Sequence, residues 1–132
     1  MNRTGKGTTV MPKRILIAAA IVAASLAGTG DVKAQETEKV FKFYCAQCHG
    51  TGGKGDGPNV TEDFKVSPRN FTKAKEMNKL TDADLKNVIL DGGPSVDKSP
   101  LMPPWGKTLT SEQVDGLVKY LRKLCNCKGK PG

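Results

Sequence analysis

The stretch Cys45-Ala46-Gln47-Cys48-His49 constrains this chain more than any other. Two thiols stand three residues apart, and an imidazole follows the second directly. Three chemistries use such a group, and each demands something different of the rest of the chain. A zinc site needs four ligands, and Cys45, Cys48, Cys125 and Cys127 would supply four sulfurs. Cys125 and Cys127 are separated by one residue, however, a tighter spacing than structural zinc pairs use. Thiol redox chemistry places Cys-X-X-Cys within a βαβ pattern, and no strand pattern precedes Cys45. Covalent haem uses Cys-X-X-Cys-His. Each thiol adds to one vinyl group, and the adjacent histidine faces the iron as proximal ligand. The remainder of the sequence favours this third chemistry.

Haem attachment of this kind requires export, and the N-terminus carries the pattern for it. Lys13 and Arg14 open a basic segment, and a 14-residue apolar run follows from Ile15 to Gly28. Val32-Lys33-Ala34 then fits a small-residue cleavage site before Gln35. That is the three-part layout of a secretory signal peptide over residues 1–34, with Met11 an alternative start. The competing expectation is an uncleaved membrane anchor, but spanning a bilayer takes roughly 20 apolar residues. Cleavage after Ala34 leaves 16 basic and 12 acidic residues, a net charge of about +4 in place of +8. With few aromatics and no Arg-rich stripe, that balance argues against nucleic-acid binding. A domain this small, with one Trp, two Tyr and four Phe, has a marginal core without a metal, disulfide or cofactor.

The exported domain, residues 35–124, reads as all-α, with three main helices and long loops. Residues 36–48 carry Val40, Phe41 and Tyr44 on one face of a helix. Residues 50–57 hold five glycines and form a loop. Residues 58–80 show no clear period and allow one short helix. Residues 81–91 form a helix with Thr81 and Asp84 as an approximate capping box and Gly92-Gly93 as its end. The prolines from Pro94 to Pro104 favour a stiff extended loop. The last helix is the best marked. Thr110 and Gln113 cap it, and Val114, Leu117, Val118 and Leu121 recur at helical spacing. Gly116 lies beside that face and leaves room for another helix.

His49 is the only histidine, so a second histidine ligand cannot come from this chain, and the distal position is left to Met, Lys, Cys, the N-terminus, water or nothing. Beyond residue 34 the only methionines are Met77 and Met102. Met77 lies among charged residues and reads as packing beside Leu80. Met102 lies between Pro100 and Pro103-Pro104, in a loop whose freedom the prolines restrict. It is the better candidate for the distal ligand. Met/His ligation raises the potential of the iron and fills the sixth site.

The segments "CAQCHGTGGKGDGP" and "LMPPWG", followed by a terminal amphipathic helix, resemble a class I monohaem c-type cytochrome of the bacterial periplasmic kind. They are similar to the cytochrome c6 and cbb3-oxidase haem-subunit group, over about residues 36–124. The resemblance implies the class I cytochrome c fold, with the helices wrapped around one covalently bound haem and the first and last helices crossing. It implies that Phe41 and Tyr44 pack on Gly116, Leu117 and Tyr120. It also implies that the Pro58 carbonyl receives the second nitrogen of His49, and that Arg69 and Trp105 are placed to donate to a haem propionate.

The tail 125–132, "CNCKGKPG", departs from that pattern. A disulfide within Cys-X-Cys closes a small ring, and exposed thiols outside the cell invite intermolecular pairing. Cys125 or Cys127 is therefore expected to contact or link another subunit; copper binding and oxidation within a disordered end are alternatives. The functional expectation is a periplasmic electron carrier, not an enzyme, with axial ligands His49 and Met102. Its redox partners would dock at an exposed haem edge near Lys54, Lys73, Lys75, Lys79 and Lys107, although most of these lysines read more simply as solubilising charges. A haem subunit of a larger respiratory complex is the alternative. A gas sensor or peroxidase is disfavoured, because Met102 would close the sixth site and no second histidine is present.

Overall fold

The structure, a computed structural model, describes residue 1 and residues 29–132. Most of the expected leader, residues 2–28, lies outside the described residues. Among those described, every regular element is helical, and no helix is long and apolar enough to cross a membrane. Residues Asp31–Gly132 pack as one unit.

The first helix is longer than the sequence pattern suggests. Helix α1, Thr29–Val40, runs into a π-helical turn, Phe41–Cys45, and then into α2, Ala46–His49. The wide turn is closed by the Ala46 amide bonding the Phe41 carbonyl. It has a packing consequence. Positions five apart diverge on a regular helix of 3.6 residues per turn. Here the inserted residue leaves both Phe41 and Ala46 buried, as π-turns do where a helix must change phase near a site.

The middle of the chain holds only a short helix, α3, Ala74–Met77. Helix α4, Asp82–Asp91, begins with the full capping box that Thr81 and Asp84 foreshadow. Gly92, with φ of 80°, ends it. The proline-rich stretch is not extended throughout. A single 3₁₀ turn, Gly93–Val96, opens it with Pro94 in its first turn, the one helical position where a missing N–H costs nothing. Helix α5, Ser111–Cys125, carries the Thr110–Gln113 capping box.

The core gathers along α5. Val114, Leu117, Val118 and Leu121 are buried, and Cys125 continues the stripe. They close on Phe41, Phe71, Met77, Leu85, Ile89 and Leu109. Helices α1 and α5 meet at Gly116, where an added Cβ would lie 2.7 Å from Thr37 Oγ1. One turn further on, the rings of Phe41 and Tyr120 stand 5.0 Å apart. Helices α4 and α5 also pack together, and Lys86 bridges to Asp115 at their exposed edge. Met77 is fully buried, in keeping with its reading as a packing residue.

The tail is not a loose end. Asn126 takes the left-handed conformation and caps α5. Cys125 and Cys127 are joined to each other. The expected intermolecular link through either thiol is therefore corrected: the nearest sulfur lies two residues away on the same chain, and the helix cap folds the chain back to it. The remaining tail lies on the segment before α4. The Gly129 amide donates to Asn78 Oδ1 at 3.0 Å, and the Lys130 amide to the Leu80 carbonyl at 3.3 Å.

Candidate haem site

Cys45 and Cys48 sit at the junction of the π-turn and α2, both half-buried and both free thiols. Helical spacing puts them on one face, with His49 following. Burial pushes the Cys45 thiol up to about 11, and the neighbouring Cys48 adds to the shift. The other two cysteines are spent on their own disulfide. Among the described residues, no group of three or more His, Cys, Asp or Glu side chains converges as a metal site. The four-sulfur zinc site has no structural counterpart.

His49 is held from two sides. Its ring stacks on Phe71 with centroids 4.5 Å apart and planes 26° from parallel. Its Nδ1 lies 3.1 Å from the carbonyl oxygen of Arg69. A carbonyl only accepts, so Nδ1 carries the hydrogen and Nε2 keeps its lone pair for a metal. Burial lowers the pKa of the ring, with the Arg69 charge adding to that shift and the Arg69 carbonyl opposing it. The neutral imidazole that iron needs is thus the favoured form.

This hydrogen bond corrects the expectation for Pro58. Pro58 is exposed, and the carbonyl facing His49 belongs to Arg69, twenty residues further along the chain. The physical reason lies in the loop. The Phe71 amide bonds the Gly53 carbonyl at 2.7 Å, which draws the 69–71 segment across the imidazole. Arg69 therefore contributes its backbone here, and its side chain is half-buried.

Met102 and Trp105 lie on the loop between α4 and α5, both half-buried. The Trp105 ring packs edge-on against Tyr44 at 5.1 Å. Tyr44 also meets Phe43, at 4.8 Å, so it links the Met102 loop to the helix that carries Cys45. The Trp105 contact fastens that loop to the residue just before Cys45. Around Met102 the fastening is backbone to backbone. The Gly93 amide donates to the Met102 carbonyl at 2.9 Å, and the Trp105 amide to the Ile89 carbonyl at 3.0 Å. A Cβ on Gly92 would come within 2.8 Å of the Met102 carbonyl oxygen, so only glycine admits this approach. Phe71 and the Gly92-Gly93 cradle escape sequence reasoning, in which the paired glycines serve only as a helix stop. The five lysines named above as docking candidates are all exposed, and Lys79 among them pairs with Glu76 at 2.8 Å.

Two free thiols one turn apart, and an imidazole whose outward nitrogen is left unprotonated, form the donor set that covalent haem requires. With the all-helical fold, they define a c-type cytochrome. Comparison with known proteins agrees. Residues 32–121 match the family model described as cytochrome c oxidase, cbb3-type, subunit III, and the chain belongs to that family. It is 30% identical to the cbb3-type cytochrome c oxidase subunit FixP of Sinorhizobium medicae over 99 residues, which are 70% of this chain and 30% of that protein. The chain thus spans under a third of the FixP length. It is 26% identical to cytochrome c-553 of Helicobacter pylori, over 85% of this chain and 98% of that protein. Among solved structures, the KustC0563 c-type cytochrome aligns with a TM-score of 0.53 and 27% identity, covering 67% of this chain and 95% of that one. The chain binds haem c covalently, and the class to which it belongs transfers electrons.

Proposed function

We propose that this chain is an exported one-electron carrier, with haem tethered by Cys45 and Cys48 and its iron held between His49 and Met102. The observation that carries the reading is the His49 environment: Nδ1 is committed to the Arg69 carbonyl, which leaves Nε2 as a fixed, neutral donor. Haem supplies the one-electron couple, and the protein supplies position and ligand field. Phe71 and the Arg69 carbonyl keep the imidazole from rotating, and a ligand so oriented binds more strongly. The Met102 loop, clasped by Gly92-Gly93 and by Tyr44 through Trp105, supplies the thioether in this reading. A closed sixth site suits electron transfer and opposes catalysis at the iron.

A second reading is a haem subunit of a larger respiratory complex. The family match favours it, and so does the likeness to FixP. The likeness to cytochrome c-553 covers nearly the whole of that protein and favours the free carrier.

The test is the absorption spectrum of the exported holoprotein, reduced, before and after carbon monoxide. We expect a low-spin six-coordinate spectrum that the gas leaves unchanged in the wild type and converts in Met102→Ala. Ready conversion of the wild type would remove Met102 from the iron and the carrier reading with it.

A further inference from the structure

The C-terminal cysteines take no part in haem binding, and their surroundings are specific. Cys125 is 4% exposed, whereas Cys127 is only half-buried. One residue, Arg122, addresses both sulfurs with opposite polarity. Its carbonyl oxygen lies 3.2 Å from Cys125 Sγ. Its guanidinium Nη1 lies 3.9 Å from Cys127 Sγ. The guanidinium does not wander. Nε bonds Asp82, Nη1 the Met77 carbonyl and Nη2 the Leu80 carbonyl, each at 2.8 Å. The side chain is only 11% exposed, and Gly129 closes over it so tightly that a Cβ there would overlap the guanidinium.

A structural staple does not account for this pair. A disulfide stabilises chiefly by closing a loop in the unfolded chain, and the effect grows with loop length. The loop between Cys125 and Cys127 encloses one residue, near the minimum of that effect.

We propose that Cys125–Cys127 is a thiol–disulfide exchange site, a two-electron centre distinct from the haem, whose substrate is a dithiol. The incoming thiolate attacks Cys127 Sγ, the less buried sulfur, and a mixed disulfide forms there. The bond to Cys125 breaks, and Cys125 leaves with the electron pair and takes a proton. The resulting thiol donates to the Arg122 carbonyl. The second thiol of the dithiol then attacks the mixed disulfide and releases Cys127 as a thiolate beside the guanidinium, which stabilises the anion. The dithiol departs oxidised. Two electrons have passed to the protein, one proton sits on Cys125, and the other goes to solvent while Cys127 stays ionised.

The holoprotein gives a clean assay, because its haem thioethers leave Cys125 and Cys127 as the only cysteines able to react. Native holoprotein, its haem first brought to the ferrous state with ascorbate, which leaves disulfides intact, is treated with dithiothreitol, and the freed thiols are trapped with iodoacetamide and located by peptide mass. The expected result is reduction without change in the haem spectrum, and alkylation about tenfold or more faster at Cys127 than at Cys125. Arg122→Gln should slow alkylation of Cys127 at neutral pH and shift its pH profile upward. Should that variant fail to fold, the site selectivity in the wild type still decides. A pair that resists dithiothreitol until denaturant is added overturns the proposal, and so does equal labelling of the two sulfurs.

Discussion

Where α1 meets α5, side chains make the contact; where the Met102 loop meets α4, the backbone does. The first interface brings Phe41 against Tyr120 and buries Leu117 and Val118 beneath them. The second runs through the Gly93 amide on the Met102 carbonyl and the Trp105 and Gly106 amides on the last carbonyls of α4. The difference follows from what each must do. A helix crossing tolerates small adjustments, because apolar packing is not directional. A loop that presents one thioether sulfur to iron, the role proposed for the Met102 loop, needs its register set by directional bonds.

That contrast predicts a double dissociation. Leu117→Ala removes a side chain that is 1% exposed at the centre of the crossing. It should cost about 2–5 kcal/mol in unfolding free energy by denaturant titration. The same variant, folded, should keep its haem spectrum and its indifference to carbon monoxide. If instead the sixth ligand is lost, the two interfaces are one mechanical unit and the contrast fails.

Gly93→Ala should do the reverse. Its methyl would run into the Ser99 carbonyl and meet Met102 Cβ at 3.2 Å. Backbone cannot step aside as a flexible side chain would, so the loop must shift. The stability cost should be about 1–3 kcal/mol, typical of overpacking. The spectroscopic effect should be the larger one, with carbon monoxide gaining access to the reduced iron. A variant as closed to the gas as the wild type would show that Gly93 serves the 3₁₀ turn alone and does nothing for Met102.

Features whose cause is local could be read from the sequence. Both capping boxes were visible because the partners are three residues apart and their side chains make the bonds. The α5 stripe was visible because burial there follows helical period. Gly116 could be read as a crossing point, since a missing side chain beside an apolar face has few other uses. The acceptor for His49 could not. Every residue offers a carbonyl, so nothing about Arg69 as a residue type marks its oxygen, and the family resemblance points to Pro58 instead. The Tyr44–Trp105 contact was hidden for a related reason: the π-turn shifts the phase of the helix just before Cys45, and a regular period sends Tyr44 elsewhere. In the tail, Cys-X-Cys left the pairing open, because the left-handed turn at Asn126 that brings the sulfurs together is carried by a residue the pattern does not single out.

The smallest effect probes the point where the two modes of construction meet. Helix α4 lends its last carbonyls to the Met102 loop and its apolar face to α5. Its start depends on Thr81, whose hydroxyl accepts from the Asp84 amide at 3.0 Å while the Asp84 carboxylate accepts from the Thr81 amide at 2.8 Å. Thr81→Ala should cost about 1 kcal/mol, seen as a lower denaturation midpoint with an unchanged haem spectrum. The reciprocal bond gives the effect a pH signature. The Thr81 amide, and then the Thr81 side chain, hold the Asp84 carboxyl below the ordinary carboxylate value. A group whose pKa is lower folded than unfolded stabilises the fold above the unfolded value, and that contribution fades as pH falls through the folded one. The wild type should therefore lose this increment on acidification through the carboxylate range, while Asp84→Asn should lack it and keep only the acid sensitivity of the other lowered carboxylates, Glu38, Glu76, Glu112 and Asp115. Equal acid sensitivity in both proteins would place the titration elsewhere and leave the cap a matter of the hydroxyl alone.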